Sequence, residues 1–97
     1  AMIVNFADKT TEDIYHGVDS KAARQIPNSV WKVAIRKLDM VHAAQELKDL
    51  KVPPANRLEL LKGKLSGFHS IRINDQYRII FRWDEGNARD VQITDYH

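Results

Sequence analysis

The fold is decided by residues 68–83, which read FHSIRINDQYRIIFRW. Apolar and polar side chains alternate along Phe68–Asn74 and again along Tyr77–Trp83, and this period of two is typical of β-strands. The residues between the two runs, Asn74–Gln76, have the polar composition of a tight turn. The stretch therefore predicts a β-hairpin with a three-residue loop.

This hairpin register separates two kinds of side chain. Ile71 pairs with Ile79, and Arg72 stands opposite Arg78. The predicted core face carries only apolar and aromatic side chains, namely Ile71, Ile73, Tyr77, Ile79 and Phe81. The predicted opposite face is mainly basic and polar and consists of Ser70, Arg72, Arg78, Ile80 and Arg82. We expect the helices on the first face and the arginines on the second.

The two opposed arginines need something to neutralise them. Like charges directly across a strand pair cost up to about 1 kcal/mol. A bound anion would remove that cost at Arg72 and Arg78. Alternatively, the two side chains extend into water, or they pair with Asp90 or Glu59 on neighbouring strands. The pattern alone leaves these alternatives open.

The start of the chain predicts one short strand and one short helix. Ile3–Phe6 is a brief apolar run, which we interpret as the strand. Thr10 followed by Asp13 resembles the capping box that opens a helix. Gly17 would end that helix, because glycine readily adopts the left-handed conformation found after helix ends.

A long helix is predicted after Pro27, capped by Asn28 or Ser29. Its apolar residues recur at steps of three and four over about five turns and are Val30, Val33, Ala34, Leu38, Val41, Ala44 and Leu47. Arg57–Leu61 and Val91–Thr94 are further strand candidates. The predicted fold class is α+β, with a short N-terminal strand and helices packed on one face of a mainly antiparallel sheet.

Length and composition limit the class of protein. The 97 residues fit one domain, predicted to span residues 1–97, and Ala1 in front of Met2 is interpreted as an addition before the native start. The absence of cysteine excludes disulfides and thiolate metal sites. No apolar run is long enough to span a membrane, and no signal peptide is recognisable at the start. We therefore expect a cytoplasmic protein with no membrane partner.

The basic charge is concentrated in one segment. The formal net charge is only +2, but Arg57–Trp83 holds six Lys or Arg residues against two acidic ones. A local basic surface attracts polyanions such as RNA, although solvated arginines on a strand face are the simpler interpretation. We take five of these bases as candidates for binding RNA or phosphate: Arg57, Lys62, Lys64, Arg72 and Arg82.

One histidine is well placed for chemistry. His97 ends the chain beside Tyr96 on a strand that could flank the arginines, whereas His16 and His42 fall in predicted helices and are assigned structural or surface roles. An imidazole transfers protons near neutral pH, and an arginine stabilises charge that develops on a phosphate. RNA supplies its own nucleophile, the 2′-hydroxyl. These groups would therefore suffice for RNA cleavage with no metal or other cofactor.

Several segments together resemble a known toxin family. They are Pro54–Glu59, Leu61–Gly63, Gly67–Phe81 and the terminal Asp95–His97. In these segments the chain resembles the HigB toxins, the "killer" proteins of host-inhibition toxin-antitoxin pairs in the RelE superfamily. The resemblance implies a small α+β domain that cuts mRNA in the ribosomal A site. It also implies a complex with a HigA antitoxin of helix-turn-helix fold, which holds the toxin inactive.

The resemblance implies roles for particular residues. Arg78 matches the arginine that the family uses against the scissile phosphate, and Tyr96 and His97 match its C-terminal catalytic pair. Lys62 matches a lysine that contacts RNA in some members. Glu59 departs from the pattern, because one type of member has a second catalytic histidine there. A milder departure is Tyr77, where tryptophan is commoner in the family.

Two other functions suit the same fold. One is an RNA- or ribosome-binding growth inhibitor that blocks translation without cleaving RNA. The other is a gyrase-directed toxin, because a fold does not by itself fix a function. A nuclease needs Tyr96 and His97 near Arg78, whereas a pure binder or a gyrase poison does not.

Overall fold

The structure, a computed structural model, describes residues 2–95. Helix α1 spans Lys9–Tyr15 and helix α2 spans Asn28–Ala43. The four strands of the antiparallel sheet lie in the order β1-β2-β3-β4 and span Glu59–Leu60, Phe68–Arg72, Tyr77–Asp84 and Asn87–Asp95. Four 3-10 turns lie at Ala23–Gln25, Leu47–Lys51, Pro54–Asn56 and Gly63–Leu65. The predicted catalytic pair, Tyr96 and His97, lies outside the described residues.

Both helices pack on one face of the sheet, which confirms the predicted α+β architecture. On the sheet side, Ile71, Ile79 and Phe81 are fully buried. On the helix side, the predicted apolar stripe supplies Ala34 and Leu38, which are fully buried as well. Across residues 2–95, neither helix has the length and hydropathy needed to cross a bilayer.

The hairpin has the predicted register. Ile71 pairs with Ile79 and Arg72 pairs with Arg78 across β2 and β3. The Asn74 side chain closes the loop, because its Oδ1 accepts hydrogen bonds from the amides of Gln76 at 2.9 Å and Tyr77 at 2.7 Å. Asparagine side chains commonly stabilise turns by bonding amides that follow them.

The N-terminal strand is correct in position but is not continuous. Ile3 and Phe6 form isolated parallel bridges with Ala88 and Val91 of β4. Between the two bridges the ladder is interrupted at Asp90, whose φ of 52° lies in the left-handed region. There the Asn5 side chain replaces the backbone partner: its Oδ1 accepts from the Asp90 amide at 3.1 Å.

The predicted cap of α1 is wrong. The helix is capped by Asp8, whose Oδ1 accepts from the Thr11 amide at 2.8 Å. Asp13 is buried and instead accepts hydrogen bonds from the Ser20 hydroxyl at 2.6 Å and from Lys9 at 3.2 Å. The Ser20 bond is the main reason that the pKa of Asp13 lies below its usual range, and Lys9 contributes. Gly17 follows the helix at φ 73°, as predicted.

The ends of α2 also differ from the prediction. Asn28 is already the first helical residue, and Pro27 occupies the cap position without a side-chain acceptor. The helix ends at Ala43, so the last two members of the predicted stripe, Ala44 and Leu47, lie beyond it. The next turn begins there because Asp49 Oδ2 accepts from the amides of Gln45 at 3.1 Å and Glu46 at 3.0 Å.

Candidate functional site

The face of the sheet away from the helices carries the predicted arginines. Arg72, Arg78 and Arg82 alternate with the buried core residues of the same two strands. Their exposure differs widely, because the side chain of Arg78 is only 9% exposed whereas that of Arg82 is 49% exposed. The predicted separation of the two faces is therefore confirmed. The depth of Arg78 is a feature that the period of two does not predict.

Three arginines surround one pocket. Its volume is about 210 Å³, and its lining consists of Arg57, Arg72, Asn74, Asp75 and Arg78. The pocket lies at the hairpin end of the sheet, where β2 leads into the Asn74 turn. Guanidinium groups present several N–H donors in a planar fork that suits phosphate oxygens. The geometry therefore fits a tetrahedral anion or one phosphate of a polynucleotide.

Arg78 is held from two sides. Its Nη2 donates to the backbone oxygen of Arg57 at 2.7 Å, and its Nη1 donates to Glu59 Oε1 at 3.4 Å. Both partners belong to the segment that precedes β2. The predicted strand Arg57–Leu61 is shorter in the structure: β1 comprises Glu59–Leu60, and the Leu61 amide adds one hydrogen bond to the Phe68 carbonyl oxygen at 2.8 Å. Arg57 instead adopts a left-handed conformation with φ 47° and ψ 54°, which takes it out of the strand.

The two arginines that face each other across the strand pair, Arg72 and Arg78, each pair with an acidic residue of the chain. Glu59 approaches Arg78, so this alternative from the sequence is confirmed. Arg72 pairs with Asp75, a partner that the sequence did not indicate. Asp75 is 95% exposed and Glu59 is 49% exposed. Ion pairs with an exposed partner contribute only about 0–1 kcal/mol, so an incoming phosphate can compete with Asp75 for Arg72.

The other three basic candidates do not line the pocket. Arg82 lies over the ring of Phe68, with 4.3 Å from its Cζ to the ring centroid, and pairs with Asp90 at 3.5 Å. Lys62 and Lys64 are exposed on the connection between β1 and β2, which contains the turn Gly63–Leu65. They extend the basic surface beyond the pocket.

None of the histidines within residues 2–95 lines the pocket. His69 stacks on Phe81 at 6.1 Å on the core side of the sheet, where burial lowers its pKa. His42 Nδ1 accepts from the Ile3 amide at 3.1 Å, and His16 packs against Phe6 at 5.8 Å. Both observations agree with the structural or surface roles assigned to His16 and His42. Among the described residues, no cluster of three or more His, Asp or Glu side chains could hold a metal ion.

Two buried polar residues behind the pocket were missed by the sequence analysis. Lys37 is 6% exposed, and Asn56 is fully buried. A signal for Lys37 exists, because it lies three residues after Ala34 and four before Val41 and therefore on the apolar face of α2. Asn56 gives no such signal, since it follows Pro53 and Pro54 in a segment without periodicity.

Comparison with known proteins identifies the family. The family model of the RelE-like toxin of the type II toxin-antitoxin system HigB matches residues 4–97. The chain is 47% identical over 92 residues to Toxin HigB-1 of Vibrio cholerae serotype O1, covering 95% of each protein. It is 42% identical over 69 residues to an uncharacterized protein of Haemophilus influenzae, covering 71% of this chain and 68% of that protein.

A solved structure has the same fold. In the YoeB-YefM complex from Staphylococcus aureus, one chain superposes with a TM-score of 0.56, covering 100% of this chain and 98% of that chain at 21% identity. At that identity the similarity is evidence for the fold alone. The family model and the identity to HigB-1 extend over nearly the whole chain. The chain therefore belongs to the HigB-like toxins, the RelE-like toxins of type II toxin-antitoxin systems.

Proposed function

We propose that this toxin is a ribosome-dependent endoribonuclease that cleaves mRNA by attack of a 2′-hydroxyl on the adjacent phosphate. The observation that carries the proposal is the pocket lined by three arginines. One of them, Arg78, is nearly buried, and its guanidinium donates two hydrogen bonds that fix its position. Preorganised cationic donors stabilise the charge that develops on the phosphate in the transition state. The site of action at the ribosome makes the protein cytoplasmic.

The described residues supply charge stabilisation and a proton acceptor. Arg78, with Arg72 and Arg57 beside it, opposes the negative charge on the phosphate oxygens. Glu59 presents a half-exposed carboxylate next to Arg78, so it can take the proton of the 2′-hydroxyl. This acceptor stands in place of the second histidine that the sequence lacks. Lys62 and Lys64 bind RNA at a distance from the pocket.

The leaving group needs a proton donor, and we propose His97 for that role. Its proton goes to the 5′-oxygen, the P–O5′ bond breaks, and a 2′,3′-cyclic phosphate and a 5′-hydroxyl result. Tyr96 orients the nucleotide. The end of β4 supports these roles, because Thr94 pairs with Arg78 and Asp95 pairs with Tyr77 on β3. Asp95, the last described residue of β4, therefore lies one position along the strand from the Arg78–Thr94 pair.

The direct test replaces Arg78 and measures single-turnover cleavage of mRNA on programmed ribosomes. Removal of one transition-state donor costs about 10²- to 10³-fold in rate, and we expect Arg78→Ala to lose at least that much. Arg78→Lys keeps the charge without the fork and is expected to be intermediate. The matched control is Arg89→Ala, because Arg89 is an exposed arginine of β4 that pairs with Asp84 at 3.2 Å.

Two results would contradict the proposal. The first is ribosome binding by the wild-type protein with no cleavage product, which would establish a non-cleaving inhibitor. The second is wild-type cleavage by a folded Arg78→Ala variant. Gyrase-dependent DNA damage in cells, with mRNA intact, would indicate the gyrase-directed function instead.

We further propose that the partner in the cell is a HigA-type helix-turn-helix antitoxin. Membership of a type II toxin-antitoxin family supports a protein antitoxin, and a second solved structure with this fold is a heterotetrameric YoeB-YefM toxin-antitoxin complex from Staphylococcus aureus. Acidic side chains of a partner could engage the basic segment and raise the association rate. Purification of the natively expressed toxin should recover a stoichiometric small protein. Recovery of the toxin alone under conditions that preserve complexes would contradict this.

A further inference from the structure

Lys37 is a buried cation on the helix that packs against the sheet. Only 6% of it is exposed, and its Nζ donates to Asn56 Oδ1 at 2.5 Å. No carboxylate among residues 2–95 forms an ion pair with it. Burial, and then the positive charges of Arg36 and Arg72, lower its pKa. For folding alone, an apolar side chain of similar length would avoid the cost of removing an ammonium group from water.

Asn56 joins this lysine to the loop that precedes β1. The residue is fully buried. Its Nδ2 donates to the backbone oxygens of Leu50 at 3.2 Å and Val52 at 3.4 Å. With Oδ1 occupied by Lys37, both ends of the amide group are bonded. A buried polar group bonded in this way fixes the backbone around it, because any displacement leaves donors and acceptors unsatisfied.

Arg57, the residue after Asn56, is one of the two residues that hold Arg78. Arg57 has a left-handed backbone, and its carbonyl oxygen accepts from Arg78 Nη2 at 2.7 Å. A non-glycine residue in this region stores strain and persists only where the surroundings hold it. The buried bonds of Asn56, one peptide unit away, provide that support. A continuous path of contacts therefore runs from Lys37 through Asn56 and Arg57 to Arg78.

We propose that Lys37 and Asn56 are positioning residues of the phosphate site. They keep the Arg57 carbonyl against Arg78 and so fix the direction in which the guanidinium faces the pocket. This inference rests on the proposed nuclease function for its kinetic effect, but the orientation of Arg78 can be measured without activity. Both residues are buried and neither lines the pocket, so we expect their effect on the chemical step rather than on binding.

The test uses Lys37→Met, which keeps side-chain length and helix propensity while removing the amine. A small misplacement of a catalytic group costs up to about 10²-fold, and we expect the single-turnover rate on saturating programmed ribosomes to fall about ten- to a hundredfold. Ribosome affinity should change less than about threefold. Loss of the buried charge stabilises the fold whereas loss of the donor to Asn56 Oδ1 destabilises it, so Tm is measured for each variant and rates are compared at equal folded fraction. Lys32→Met, at an exposed position of the same helix, is the matched control.

A second variant separates hydrogen bonding from charge. Lys37→Gln keeps a donor toward Asn56 without the ammonium and should recover part of the rate. Side-chain nitrogen NMR of Arg78 is the readout that needs no cleavage. Its guanidinium signal should be sharp and protected from exchange in the wild-type protein and broadened in Lys37→Met.

Three outcomes would overturn the inference. They are a wild-type rate in Lys37→Met, a rate that falls only in proportion to the fraction unfolded, and an unchanged Arg78 signal. If the wild-type protein cleaves no RNA, the proposed function fails. The NMR comparison would still decide whether Lys37 positions Arg78.

Discussion

The two faces of the hairpin are built from the same strands but by different physics. On the helix side, Ile79 and Phe81 are fully buried in one continuous apolar core. On the other side, Arg72 and Arg82 are held by individual ion pairs with Asp75 and Asp90. The stabilisation from apolar burial adds up over many contacts, whereas each exposed ion pair contributes little to the free energy of unfolding. The core face therefore sets stability, and the arginine face is free to serve chemistry.

The largest predicted effect is on the free energy of unfolding, at two adjacent residues on opposite faces of β3. Phe81→Ala should lower the free energy of unfolding by about 3–5 kcal/mol, because it leaves a cavity in the core. Arg82→Ala, one position along the strand and on the other face, should cost less than about 1 kcal/mol. Urea unfolding followed by circular dichroism measures both. Similar losses in the two variants would show that the faces are not energetically distinct.

The next prediction concerns two residues whose substitution should slow cleavage without lowering the stability of the fold. His97→Ala should reduce single-turnover cleavage at least tens-fold, since general acid-base catalysis contributes about 10²- to 10⁴-fold. Glu59→Gln should also slow cleavage, because the amide cannot accept the proton. Thermal unfolding of both variants should stay close to the wild-type curve, because a terminal residue contributes little to a core and the Glu59 side chain is half-exposed. Wild-type cleavage by either folded variant would remove that residue from the mechanism.

A smaller predicted effect is a pH dependence of stability that arises from the buried Lys37. Because the pKa of Lys37 is lowered in the folded protein, the unfolded chain binds more protons at alkaline pH, and stability should rise as pH increases through the folded pKa toward 10.5. Lys37→Met removes this dependence, so the difference in stability between the two proteins should shift in favour of wild type from pH 7 toward pH 10. Tyr15, whose pKa is raised to about 12 by burial and by Asp39, acts in the opposite direction above pH 10.

Urea midpoints at several pH values below 10 therefore isolate the contribution of Lys37. A constant difference between the two proteins across this range would show that Lys37 has the same pKa folded and unfolded.

The smallest predicted effect is on the affinity of the arginine face for RNA. Asp75→Asn removes the carboxylate that pairs with Arg72 and should strengthen binding of a short RNA by up to about fivefold. Asp84→Asn, which frees Arg89 elsewhere on the sheet, is the control and should leave affinity unchanged. Fluorescence anisotropy at two salt concentrations measures this, and wild-type affinity should fall as salt rises. Affinity independent of salt would show that the basic face does not bind RNA.

Local patterns were enough to predict the layers and the register. The alternation around Asn74–Gln76 predicted that Ile71 pairs with Ile79 and that Arg72 stands opposite Arg78. Helix and strand ends were less predictable. The cap of α1 is Asp8 rather than Thr10, and α2 ends at Ala43 because Asp49 captures the amides that follow. Several side chains near each end could serve as caps, and small differences in geometry decide among them.

By itself, the sequence determined the α+β class, the hairpin register and the face that carries the arginines, because periodicity assigns each side chain to a side of its own strand. The tertiary structure selected Glu59 from the partners that the sequence left open for Arg78, and it added the Arg57 carbonyl oxygen. The contacts that build the site join residues 19 to 21 positions apart, Lys37 to Asn56 and Arg78 to Glu59 and Arg57. Such contacts depend on how a loop without periodicity closes against the sheet, and no local pattern encodes that closure.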